Sequence, residues 1–157
     1  MIQDQKQILV NAKPEEVFAL IETMPNKFPV YRILETRPLL FLRILFVDGF
    51  HPALNLMSIK KPNDIFVMQA GDSLGPFKLT ELEKPIRYWF TLKSFFFDCR
   101  TGYTLSAYES KTILNFDIIS DNPTLMEKLW WFFVKPIHSL MAKKVLKVIK
   151  NEVELKI

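Results

Sequence analysis

Lys128 to Lys150 reads KLWWFFVKPIHSLMAKKVLKVIK, and any fold for this chain has to house it. Past Pro136 the run is amphipathic at helical spacing. Ile137, Met141, Val145, Val148 and Ile149 fall on one side, and Lys143, Lys147 and Lys150 on the other. Before Pro136 the pattern changes: Leu129, Trp130, Trp131, Phe132, Phe133 and Val134 wrap nearly all the way round. A helix that is apolar all round is buried on more than one side, or meets lipid or a ligand. Lys128, Lys135, Lys143 and Lys144 sit inside the run and argue against a bilayer span. Pro136 lacks a backbone donor and clashes with the preceding turn, so a kink is expected there. Thr124 followed by Glu127 has the spacing of a capping box, which starts the helix and carries it to about residue 152.

The residues before this helix read as strands joined by short turns. Residues 2–11 show a weak period of two, with Ile8 and Val10 alternating with Gln7 and Leu9. Ala12-Lys13-Pro14-Glu15-Glu16 is a helix start: Pro suits the first turn and the two Glu complement the positive end of the dipole. Val17, Leu20, Ile21 and Met24 follow at helical spacing with Phe18, and Pro25 ends the helix. A short second helix or turn is expected over Asn26–Tyr31. Pro38–Phe46 is apolar except for Arg43, and periodicity leaves strand and short helix both open. Further strands are expected at Ile65–Gln69, Phe77–Glu83, Arg87–Phe97, Arg100–Tyr108 and Thr112–Ile119. In the third of these Tyr88, Phe90, Leu92 and Phe96 share a face. In Phe77–Glu83 the alternation sets Phe77, Leu79 and Glu81 against Lys78, Thr80 and Leu82. Glu109-Ser110-Lys111 is a hairpin loop. Successive strands with short turns make an antiparallel meander.

A chain of 157 residues without a repeat, linker or low-complexity tract is read as one domain, 1–157. Its 49% hydrophobic and 13% aromatic content, with 14 Phe, is that of a packed globule. Four Gly are few for a phosphate-cradling loop. The single cysteine, Cys99, cannot form an internal disulfide, and no Cys/His spacing suits a metal. A reduced, cytoplasmic setting fits, with no signal peptide read in the first residues. The net charge of +4 is ordinary surface charge, or an attraction to anionic lipid or nucleic acid. The frame of an RNA-recognition fold is absent, and no nucleic-acid partner is expected.

Catalytic chemistry leaves few candidates. Cys99 falls at a strand end and reads as a small hydrophobe rather than a nucleophile. His51-Pro52 reads as a turn. His138 lies at the edge of the helix's apolar side, as a border histidine or as a polar anchor in a cavity. Asp98, Arg100 and Tyr103 cluster near a strand end, Asp117 lies opposite Leu114 and Phe116, and Arg87 and Lys93 share a face with Trp89. Each reads as a solvated surface group, or as a fixing point for a ligand's polar head.

The order of elements resembles the START-like superfamily, which includes Bet v 1-like and polyketide cyclase/dehydrase-like proteins. Three stretches carry the resemblance: ILVNAKPEEVFALIETM at the entry to the first helix, LGPFKLTELEKPIRYWF at a mid-sheet hairpin, and PTLMEKLWWFFVKPIHSLMAKKVLKVIKNEVE at the closing helix. The segment from Thr36 to Ser58 is longer and greasier than that pattern. The resemblance implies an α+β helix-grip fold, with a curved antiparallel sheet wrapped around a long C-terminal helix and two short helices after the first strand. It also implies a hydrophobic cavity for a lipid or other apolar small molecule, with no family-wide catalytic residues and no cofactor or metal to carry over. Face assignment and helix phase put Phe90, Tyr103, Phe116, Trp130, Phe133, Ile137 and Met141 on the cavity wall. Two alternatives stay open. One is a cyclase- or dehydrase-type enzyme using Tyr103 or His138. The other is a module that meets a membrane surface or a partner through Trp130 and Trp131, beside the lysines of the last helix.

Overall fold

The computed structural model describes residues 1–23, 67–74, 77–93 and 98–156, together with Phe41, Leu42, Leu45 and Phe50. The expected second helix over residues 26–31, Met24, His51, Phe96 and most of the Pro38–Phe46 run lie outside the described residues.

Among the described residues six strands form one antiparallel sheet: β1 (Ile2–Val10), β2 (Ser73–Leu74), β3 (Phe77–Glu83), β4 (Arg87–Leu92), β5 (Cys99–Tyr108) and β6 (Lys111–Ser120). Their spatial order is β1-β6-β5-β4-β3-β2, so β2 to β6 are a meander and β1 closes onto the last strand. Helices α1 (Pro14–Glu22) and α2 (Leu125–Glu154) join the sheet. The period of two does the sorting. Ile2, Val10, Leu114, Phe116, Ile118, Tyr103, Leu105, Tyr88, Phe90 and Leu79 are buried on the inner face. Val17, Phe18, Leu20 and Ile21 of α1 and Met141, Ala142, Val145, Leu146, Ile149 and Val153 of α2 complete that core. The helix α2 packs mainly on β1, with smaller contacts to α1 and β6.

Two strand expectations are corrected. The alternation across β3 breaks, because a register irregularity falls between Leu79 and Glu81. Glu81 therefore pairs with Trp89 on the outer face, and Leu82 pairs with Tyr88 on the inner one. Of the strand expected at Ile65–Gln69, Val67, Met68 and Gln69 are not strand. Their region is committed to a turn: Gln69 N–H donates to Asp72 Oδ2 (2.8 Å) and Asp72 N–H returns to the Gln69 carbonyl (3.0 Å). Gly71, at φ +99°, supplies the backbone conformation the turn requires.

The helix starts are local and legible. Pro14 opens α1, and Lys13 N–H donates to Glu16 Oε2 at 2.9 Å. At α2, Glu127 N–H donates to Thr124 Oγ1 (3.2 Å) and Thr124 N–H to Glu127 Oε2 (2.6 Å), the reciprocal capping box. These bonds hold the Glu127 carboxyl below the usual range. Thr124→Ala is expected to cost about 1 kcal/mol, a fall in melting temperature of about 2–4 °C for a domain of this size, read by thermal denaturation. The helix continues through Pro136. Pro136 leaves the Phe132 carbonyl without its helical donor, and both residues are exposed.

Candidate functional site

Aromatic side chains run across the inner face of the sheet as a connected set. Phe77 meets Phe90 edge-on at 6.3 Å, Phe90 meets Tyr88 at 5.1 Å, and Tyr88 meets Phe18 of α1 at 6.0 Å. Tyr88 pairs directly with Tyr103 across β4 and β5. From Tyr103 the set continues to Phe116 (5.1 Å), to His138 of α2 (6.0 Å, stacked) and to Trp131 (5.3 Å). Quadrupoles favour such edge-on and offset contacts over face-to-face stacks.

Two buried tyrosines put polar atoms into this apolar surface. Burial pushes the Tyr88 hydroxyl well above its ordinary pKa, and Glu22 and Asp72 add to the shift. Burial does the same to Tyr103, with Tyr88 adding to it. Both stay protonated at any physiological pH. The Tyr88 hydroxyl has no hydrogen-bond partner among the described residues. An unsatisfied buried hydroxyl costs about 1–3 kcal/mol, and native proteins usually satisfy such groups with water or a ligand.

A second polar group lies where β1 meets α2. Asp4 is buried on the inner face of β1, in phase with Ile2, Ile8 and Val10. Lys6 Nζ sits 2.6 Å from Asp4 Oδ1, Ser139 Oγ donates to Oδ2 at 3.2 Å, and His138 Nδ1 lies 3.6 Å from Oδ2. Burial works to raise the Asp4 pKa, but the bonds and charges of His138 and Lys6 outweigh it and hold the carboxyl well below the carboxylate range. His138, expected at the border of the helix's apolar side, is buried between Phe116 and Trp131.

Of the residues expected on the wall, Phe90, Tyr103, Phe116 and Met141 are buried on the inner side. Trp130 and Ile137 are half-buried. Phe133 is 62% exposed and apart from the others. An i, i+4 row precesses by about 40° per step around a helix of 3.6 residues per turn. Phe133, Ile137 and Met141 therefore pass from exposed through half-buried to buried. Trp131, a surface group for a membrane or partner in one of the two alternatives, is buried next to His138. Sequence reasoning passed over Asp4 and Tyr88 as site residues. The signal for Asp4 was a carboxylate in phase with the buried positions of β1.

The polar clusters of the outer face are of a different kind. Arg100 is exposed and pairs with Asp121 (3.1 Å) and Glu81 (3.7 Å), while Arg87 pairs with Glu81 (3.5 Å). Such pairs contribute little. Arg100 and Tyr103 stand an odd number of residues apart, so they face opposite sides of β5. Cys99 is buried with Leu92, Ile118, Trp131 and Val134.

Asp117 is the buried charge of the outer face. Burial raises its pKa, and hydrogen bonds from Gln5 and Thr104 oppose the rise only partly. A raised carboxyl pKa means that the folded state holds its proton longer than the unfolded chain does. Stability is therefore lost as pH rises out of the carboxylate range. Asp117→Asn is expected to raise the melting temperature at neutral pH, with the gain vanishing in acid. Paired melts at the two pH values check this.

A six-stranded antiparallel sheet whose inner face packs against a long C-terminal helix, with a short helix after the first strand, is the START-like helix-grip fold. Solved structures similar to the chain include CalU16 from Micromonospora echinospora, at 14% identity and TM-score 0.44, covering 96% of this chain and 82% of that one. Ms6760 from Mycobacterium smegmatis is similar at 10% identity and TM-score 0.49, with 96% and 92% covered. The Aha1 dimer from Colwellia psychrerythraea is similar at 14% identity and TM-score 0.41, with 90% and 97% covered. No family model and no curated protein matches the chain by sequence. Among the described residues no helix is long and apolar enough to cross a membrane.

Proposed function

We propose that the chain binds a hydrophobic small molecule or lipid against the aromatic inner face of β3, β4 and β5, with the Tyr88 hydroxyl as the polar anchor. The observation that carries this reading is that hydroxyl, buried and without a protein partner among the described residues, inside an otherwise apolar surface. Apolar sites orient their ligands through a few such groups. A protonated tyrosine offers a donor, so the ligand presents a carbonyl, ether or hydroxyl oxygen. Burial of the ligand's apolar area contributes roughly 25 cal/mol per Å².

Native mass spectrometry of the purified protein, followed by organic extraction, tests the reading. A co-purifying apolar molecule at near-stoichiometric amount supports it. A clean mass, together with failure to shift a fluorescent fatty-acid or quinone probe, ends it. Tyr88→Phe sharpens the test. It removes a hydroxyl that the described protein does not satisfy, so the fold keeps its stability or gains about 1 kcal/mol. Probe affinity falls about tenfold, the equivalent of one lost hydrogen bond.

One observation favours a second reading. The carboxylate of Asp4 beside His138 Nδ1 is the arrangement that orients an acid–base imidazole. A cyclase- or dehydrase-type enzyme would lose turnover in His138→Ala and keep binding the probe. A carrier would show no turnover in either form.

A further inference from the structure

The N-terminal half of α2 is apolar on its water side as well as on its buried side. Leu125, Met126, Leu129, Phe132, Phe133 and Leu140 are between 55 and 82% exposed. At 100° per residue they fall within an arc of roughly 120°. Phe132 and Phe133 meet edge-on at 5.5 Å, at the centre of the stripe. Scattered exposed apolar residues need no explanation, but a contiguous stripe of this length marks a surface that meets something.

The charge around the stripe selects what that is. Lys128 and Lys135 flank it, and Lys143, Lys144 and Lys147 continue the same face toward the C-terminus, all exposed. The sole acid from Leu125 to Lys150 is Glu127, which lies off this face and is tied into the cap with Thr124. Glu154, beyond the stretch, accepts from Asn11 N–H at 2.8 Å and pairs with Lys150 at 3.7 Å. No acid of this stretch lies on the face, so the charge it presents is that of its lysines. A second copy docked through it would set these lysines against one another. A bilayer with anionic headgroups takes both parts, lysines at the phosphate level and Phe and Leu at the acyl boundary.

We propose that the exposed stripe of α2, Leu125 to Leu140 with its lysine rim, docks on anionic lipid bilayers, with the helix lying in the plane of the interface. This stands apart from the ligand reading, because none of the six stripe residues lies on the inner face.

Vesicle co-sedimentation of the full chain tests it, with phosphatidylcholine alone and with phosphatidylcholine mixed with phosphatidylserine. The bound fraction is expected to rise at least about tenfold with the anionic lipid, and to fall by as much near 1 M salt, where the Debye length is about 3 Å. The double variant Phe132→Ser with Phe133→Ser removes the insertion. Lys143→Glu with Lys147→Glu removes the attraction. All four side chains are exposed, so both variants keep the wild-type melting temperature, which is measured alongside, and keep whatever probe binding the wild type shows. Binding lost in both variants supports the proposal. It is overturned by wild-type protein that stays in the supernatant with anionic vesicles at low salt. It is also overturned by sedimentation that neither variant changes, or by a solution dimer that Phe132→Ser dissociates without any vesicle binding.

Discussion

Gly102→Ala is expected to destabilise the protein by about 3 kcal/mol or more, at the upper end of overpacking costs. Gly102 pairs with Trp89 across β4 and β5. A Cβ at Gly102 would stand 2.6 Å from Trp89 Cα and 2.8 Å from Trp89 Cγ, and closer still to the Tyr88 carbonyl oxygen. Two of those three atoms are backbone, so no rotamer change relieves the clash. The Trp89 indole is held in addition by its Nε1–H bond to Thr104 Oγ1 at 3.0 Å. At about 2–4 °C per kcal/mol for a domain of this size, the melting temperature falls by roughly 6 °C or more. A melt within a degree of wild type would show that β4 and β5 separate more easily than their geometry indicates. Trp89→Leu in the same background should not restore stability, because the backbone contacts remain.

Asp4→Ala is expected to be the other large loss, about 3–5 kcal/mol, the cost of breaking a buried charge pair and leaving its partners behind. Lys6, Ser139 and His138 all turn to this one carboxylate. It joins the first strand to the last helix across most of the chain. Asp4→Asn tests the electrostatic part. The folded-state pKa of Asp4 lies below its ordinary value of 3.8, so its contribution is fully present above that value and is lost as pH falls through the lower, folded pKa. The gap in stability between wild type and Asp4→Asn should therefore be widest above about pH 5 and close in stronger acid. Chemical denaturation across that range reads it directly. A gap independent of pH would mean that Asp4 acts by packing alone.

Local patterns carried most of the architecture. The strands β3, β5 and β6 begin and end within a residue of their expected limits, because alternation and turn residues are properties of neighbours in sequence. The capping box at Thr124 and the proline at the start of α1 were legible for the same reason. The candidate site was legible only in part. Phe90, Tyr103 and Phe116 follow from strand phase. Phe133 did not hold its place with Ile137 and Met141, because a four-residue row drifts around the helix and only the packing surface decides where along the drift burial begins. Leu82 changed face because a register irregularity adds a residue to β3, and nothing in FKLTELE announces it.

The sequence by itself determined β1, β3, β5, β6 and the starts of both α1 and α2, and that one long amphipathic helix must close an antiparallel meander. Those features rest on spacing and on interactions a few residues apart. Only the tertiary structure decided which side of Trp130-Trp131-Phe132-Phe133 is buried, and that Asp4 and His138, far apart in the chain, share one buried charge site. It also decided that the Tyr88 hydroxyl is left without a partner among the described residues. Each of these depends on which surfaces meet across the sheet. Burial and pairing between distant residues are set by the packed geometry and not by the period of any one segment.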